Sequence, residues 1–156
     1  MLDDAVVVRF TKAMAVGVEK QITGGSLIGD LVTCLDTSIL IDYMTGNTKI
    51  VGLVDEYASK EMTSITTITE YELLKHGDKI KREIAEGVID SMQVYPFTSS
   101  SALEAAKIFE RLRKSGRMIN ENDILIAGIA FSNNELLITR DKRFKGLEGI
   151  GRVLIV

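Results

Sequence analysis

Residues 31–44 read LVTCLDTSILIDYM, and the way this stretch is parsed decides the fold. Leu31 to Leu35 form a short apolar and β-branched run, the pattern of a buried strand. Asp36 interrupts it with a side chain that favours helix starts, so a helix is expected from Ser38 onward. A buried strand turning directly into a helix opens a β-α unit, and the chain repeats that unit outward from here. Ile50, Leu53, Val54 and Tyr57 recur at helical spacing within 48–59, and MTSIT at 62–66 reads as a second strand. A short helix near 69–76 stops at Gly77, and one over 78–91 carries Ile80, Ile84 and Val88 on one face. MQVYPF at 92–97 is a third strand, ended by Pro96. Ser99 to Lys114 is predicted helical, with Leu103, Ala106, Phe109 and Leu112 among its apolar positions and Gly116 to close it. A helix over 120–134 would bury Leu125, Ile126, Ile129 and Ala130, and ELLIT at 135–139 and RVLIV at 152–156 complete the set. Strands alternating with helices predict an α/β three-layer sandwich around a mostly parallel sheet of about five strands.

Residues 1–30 carry a different pattern. AVVV at 5–8 could be a strand and KAMAVGVEK at 12–20 a weak helix, before Gly24, Gly25 and Ser26 break the run. We read 1–30 as an N-terminal extension and 31–156 as the domain proper.

The chain has 156 residues, 46% hydrophobic and 26% charged, which suits one globular domain. A formal net charge of −3 gives no global footprint for nucleic acid, although metal-binding acids would themselves lower it. The single cysteine, Cys34, lies in an apolar run and allows no internal disulfide, which fits a reducing, cytoplasmic setting. No run approaches the ~18 apolar residues of a membrane helix, and MLDD is acidic where a secretory signal would be basic. The lone His76 reads as a helix C-terminal residue, and no CxxC or HxxxH pair suggests zinc.

Four acids stand just past a strand or in a helix's first turn: Asp36, Glu72, Asp123 and Asp141. Each has a bland explanation. Asp36 could cap the following helix, Glu72 could complete a capping box with Thr69, Asp123 could do the same after Asn120, and Asp141 could be a turn residue. Jointly they exceed what capping requires. Groups at the carboxyl ends of parallel strands converge on one crevice. Four carboxylates there cannot all ionise cheaply without a cation, and Mg²⁺ or Mn²⁺ prefers such oxygen ligands. That combination points to phosphodiester chemistry.

The strand ending in DTSIL, the ITxxEL segment at 68–73, NDILIA at 122–127 and LITxDxxF at 137–144 together resemble a PIN domain, of the small VapC-like ribonuclease toxin type. The resemblance covers about residues 31–156, with all four motifs in family order. It implies a divalent-metal-dependent endoribonuclease that cleaves RNA by metal-activated water, an antitoxin protein as partner, and pairing into a homodimer. Matched residue by residue, Asp36, Glu72, Asp123 and Asp141 become the catalytic and metal-holding acids. Glu72 is chosen over Glu70 because the ITxxEL register places Ile68 and Thr69 correctly. In this reading Asp36 and Asp123 hold the ion directly, while Glu72 and Asp141 complete a second site or orient water. Thr37 and Ser38 hydrogen-bond the ligands and, with Arg140, Lys142 and Arg143 around Asp141, form the substrate-binding set. Lys107, Arg111, Lys114 and Arg117 read instead as a solvated face. Tyr57, Ile84 and Val88 are the expected contacts between copies. Rival readings are an RNA-processing PIN nuclease without an antitoxin, a PIN-like module that has lost catalysis, and a phosphotransfer domain using Asp36 as acceptor.

Overall fold

The computed structural model describes residues 32–75 and 77–156, so expectations for residues 1–31 and for His76 lie outside the described residues. Within them, β1 (Thr33–Leu35), β2 (Thr63–Thr66), β3 (Gln93–Tyr95), β4 (Leu136–Thr139) and β5 (Arg152–Ile155) form one sheet. Its order is β3-β2-β1-β4-β5, and every pairing is parallel. Six helices connect them: α1 (Thr37–Met44), α2 (Thr48–Lys60), α3 (Thr67–Leu74), α4 (Lys79–Ile89), α5 (Ser99–Ser115) and α6 (Glu121–Ser132). A 3₁₀ helix, Lys142–Leu147, follows β4; its six residues carry no 3.6-residue period by which to find it in the sequence.

Side chains alternate across a strand, so each central strand feeds two cores. Leu35, Ile65 and Ile138 point into a cluster with Ile39, Leu40, Tyr43, Val54 and Val88. Their neighbours Cys34 and Leu137 point the other way, to Ile108, Leu112, Ala127, Ala130 and Phe144. These two cores are the outer seams of the three-layer sandwich. Cys34 is fully buried in the second, and burial pushes its thiol pKa up to about 12, so it stays a neutral packing group. No described helix is long and apolar enough to cross a membrane.

Three helix readings shift in register. In α4 the buried residues are Ala85, Val88 and Ile89, whereas Ile80 is 66% exposed because no described element packs over the first turn. In α5 they are Ser101, Ala105, Ile108 and Leu112; Leu103 and Phe109 face outward. α3 begins at Thr67, not Thr69: Thr66 caps it by accepting the Thr69 backbone N–H at 3.1 Å. Gly116 closes α5 in the left-handed conformation, φ 66°.

Small residues let α5 and α6 approach closely. A Cβ added at Gly128 would lie 2.8 Å from Ala105 Cβ and 2.9 Å from the Ser101 carbonyl oxygen. Alanine at this helical position would gain up to about 1 kcal/mol of propensity. Overpacking against backbone costs about 1–3 kcal/mol, so the clash should win. Gly128→Ala is therefore expected to lower the urea midpoint, as followed by circular dichroism.

Candidate active site

The site is built at the carboxyl edge of β1 and β4. β1 ends at Leu35, and Asp36 turns the chain into α1, its backbone N–H donating to the Ile138 carbonyl at 3.0 Å. Asp36 is thus the helix cap, with α1 starting at Thr37, one residue before expected. Capping uses only part of its carboxylate. Oδ1 accepts the Thr37 N–H at 2.8 Å, while Oδ2 accepts Ser38 Oγ at 2.8 Å and Thr139 Oγ1 at 2.7 Å. Only 4% of Asp36 is exposed. Burial raises its pKa despite these donors, and the charge of Glu72 adds to the rise.

Glu72 is not part of a capping box, because Thr66 and not Thr69 is the cap. It lies in the second turn of α3, where Oε2 accepts Thr37 Oγ1 at 2.5 Å and Oε1 accepts Asn122 Nδ2 at 2.8 Å. Three helices meet at this one carboxylate. Asp123 lies in the first turn of α6; Asn120 caps that helix by itself, accepting the Asn122 N–H at 3.2 Å. The Asp123 carboxyl is pushed up to about 6, first by burial, then by Asp36, with Asp141 and Glu72 adding and Arg143 opposing. All three other acids act on it, so the four share one electrostatic field.

Asp141 caps the 3₁₀ helix through the Arg143 N–H, 2.8 Å from Oδ1. The Arg143 side chain then closes on it, Nη2 at 2.5 Å and Nε at 2.8 Å from Oδ2, and holds its pKa below the usual carboxylate range. The same guanidinium reaches Asp123 Oδ2 at 3.5 Å. Arg140 pairs with Asp42, and its N–H donates to Ser38 Oγ at 3.2 Å; Lys142 is exposed. On the other basic stretch Lys107 pairs with Glu104 and Lys114 with Glu110, along one helix face.

Two residues of the network escaped the sequence reading. Thr139 ends β4, donates to Asp36 and accepts the Asp141 N–H at 3.0 Å, so it ties two of the acids together. Asn122 orients Glu72. Both lie inside the quoted motifs, as the Thr of LITxD and the Asn of NDILIA. A hydroxyl-bearing residue at the last position of a buried strand was the available signal.

The donors around the crevice are all oxygen, the chemistry that suits Mg²⁺ or Mn²⁺. Among the described residues no three carboxylates stand close enough to form a ready-made cage. The electrostatics nonetheless couple all four acids, and every one of the four is drawn onto a protein donor instead of onto a shared centre. The set fits an oxygen-ligated divalent ion, with side-chain adjustment on binding.

A raised carboxyl pKa means that the folded chain keeps a proton the unfolded chain has lost. Between pH about 4 and about 6, Asp123 should therefore make stability fall as pH rises, with Asp36 acting in the same direction. Asp141, depressed by Arg143, acts in the opposite sense and loses its contribution as pH falls below the ordinary carboxylate range. Urea unfolding of the metal-free protein across this window should show Asp123→Asn gaining on the parent as pH rises. Parallel curves for the two proteins would contradict it.

The family model described as PIN domain matches residues 33–150. Ribonuclease VapC3 of Methanocaldococcus jannaschii is 33% identical over 101 residues, covering 62% of this chain and 96% of the relative. VapBC-5 of Mycobacterium tuberculosis, a solved member of the VapBC family of toxin-antitoxin systems, matches with TM-score 0.59 and 26% identity over 80% of this chain and 97% of that one. VapBC2 of Rickettsia felis, solved with a promoter DNA fragment, superimposes with TM-score 0.71 over 80% of this chain and 98% of that one; at 18% identity it speaks for the fold alone. A buried aspartate at the end of the central strand, three further acids sharing its field and these matches lead to one assignment: the chain belongs to the PIN-domain family, among its VapC ribonucleases.

Proposed function

We propose that this chain is a metal-dependent endoribonuclease, the toxin of a toxin–antitoxin pair, and that Asp36, Glu72, Asp123 and Asp141 are its catalytic and metal-holding residues. The observation that carries the reading is the cluster itself: four carboxylates in one field, offset among the described residues by the single guanidinium of Arg143. A divalent ion, Mg²⁺ or Mn²⁺, supplies water activation and offsets charge at the phosphate. Asp36 and Asp123 would hold it. Glu72 and Asp141 would complete a second site or orient the attacking water. Thr37, Ser38 and Thr139 keep these acids in place, as fixed hydrogen bonds around ligands generally do. Arg140, Lys142 and Arg143 stand at the rim, where RNA phosphates would meet them.

The related VapBC structure is a toxin-antitoxin system, and we extend to this chain a cognate antitoxin as partner. With its one described thiol buried, a reducing cytoplasm is the proposed setting. Residues 31–156 are proposed as the nuclease domain and 1–30 as an added extension.

An RNA-cleavage assay with and without Mn²⁺ tests the reading. Asp36→Asn, which keeps shape and loses charge, should abolish cleavage. Glu70 and Glu72 lie about 200° apart around α3, so only one can face the crevice. Glu72→Gln is expected to cost on the order of 2 kcal/mol or more of transition-state stabilisation, roughly thirtyfold in rate, and Glu70→Gln little. The reverse ranking would mean that the site is shifted by two residues.

Two copies are also proposed to pair, and the exposed apolar surface points to a second candidate face beside the one expected. Of the expected contacts Val88 is fully buried, while Tyr57 and Ile84 keep part of their surface exposed. More apolar surface is exposed at Phe97, Leu103 and Phe109, beside a groove of roughly 370 Å³ between α5 and α6, and this is the face proposed. Light scattering at micromolar protein should give the dimer mass for the parent and the monomer mass for Phe109→Glu. A monomeric parent would remove the pairing.

A further inference from the structure

We propose that Arg143 is a resident counter-cation of the acid crevice: its guanidinium and the divalent ion exclude each other at Asp141 and Asp123, and on release it turns to the RNA phosphate. The inference rests on the metal-dependent reading above and adds a regulatory element to that site.

The geometry carries it. Arg143 meets Asp141 through Nε and Nη2, at 2.8 and 2.5 Å from Oδ2, with Nε also 3.1 Å from Oδ1. Its Nη2 bridges to Asp123 Oδ2 at 3.5 Å. A positive group lying between two acids, one proposed to hold the ion and one to complete the site, stands where a divalent ion would gain most. It also uses the oxygens that an ion would need. This accounts for four coupled carboxylates that nevertheless close no three-ligand cage among the described residues.

The arm that would move is separable from the scaffold that would not. The Arg143 side chain is 59% exposed, against 22% for Asp141 and 16% for Asp123, so it can leave into solvent by rotation about its own bonds. Its backbone is fixed on both sides. Asp141 caps the 3₁₀ helix through the Arg143 N–H, and the next residue, Phe144, is fully buried. A released guanidinium therefore stays tethered at the crevice rim. There its planar fork suits the paired oxygens of a phosphate. Arg140 is less suited to the exchange, because it is held by Asp42 on α1. In the free protein Arg143 relieves the repulsion among the acids. In the loaded protein the ion takes over that task and the arginine is free to bind substrate.

The test is Mn²⁺ binding to the full chain without RNA, read from the electron paramagnetic resonance signal of free Mn²⁺. Arg143→Ala is expected to bind Mn²⁺ about fivefold or more tightly than the parent, the scale of coupling between ligands that compete through one site. Arg143→Lys, which keeps the charge and loses the fork, should fall between them and covers the case in which the alanine variant folds poorly. At saturating Mn²⁺, Arg143→Ala should raise KM for a short RNA more than it lowers kcat. Equal or weaker Mn²⁺ affinity in Arg143→Ala, with binding lost in Asp36→Asn, overturns the role of Arg143 and leaves the metal site standing. Binding of Mn²⁺ by neither parent nor variant overturns the metal reading and the proposal with it.

Discussion

The buried carboxylate of Asp36 is the constraint on which the rest depends. It stands at the end of the central strand, where the sheet excludes water, and an isolated charge there would be costly. Three donors offset that cost: the Thr37 N–H, Ser38 Oγ and Thr139 Oγ1. They come from α1 and from β4, so satisfying one side chain fixes the helix start and the neighbouring strand end together. Thr139 then positions the Asp141 N–H, and Thr37 reaches Glu72. The packing of α1, α3, α6 and β4 is coordinated through this one group.

Hydrogen bonds offset the desolvation of Asp36 but do nothing about the repulsion among four acids. Burial first, and that repulsion after it, lift the Asp123 carboxyl to about 6. Positive charge relieves the repulsion, and among the described residues Arg143 supplies that charge. Sites that concentrate like charge at a cleft are where catalytic groups are tuned, and here the tuning is arranged for a cation to complete. The tension is local. The two apolar cores on either side of the sheet are ordinary in composition, and the strained electrostatics occupy only the carboxyl edge.

The buried acid outside this crevice shows the contrast. Glu135 precedes β4, is 4% exposed, and accepts a hydrogen bond from Tyr95 at 2.8 Å, with burial raising its pKa. Glu61 adds to that rise, while the Tyr95 hydroxyl and the charge of Arg152 oppose it. Glu135 is thus balanced by its own neighbours at the other end of β4, away from the four acids that act on one another at the carboxyl edge.

The sequence by itself determined the alternation of strands and helices, the parallel character of the sheet, and four acids placed at strand ends or helix starts. These are short-range features: side-chain periods, capping preferences and turn residues act over a few positions and can be read in order. Tertiary structure alone decided the strand order and the faces that remain exposed on α4 and α5. It also decided that Glu72 joins three helices instead of capping one, and that Arg143 spans two acids. Asp36 and Thr139 are 103 residues apart, and no local preference of either encodes that bond. It exists because β1 and β4 pair side by side, a long-range choice set by burying both faces of the sheet.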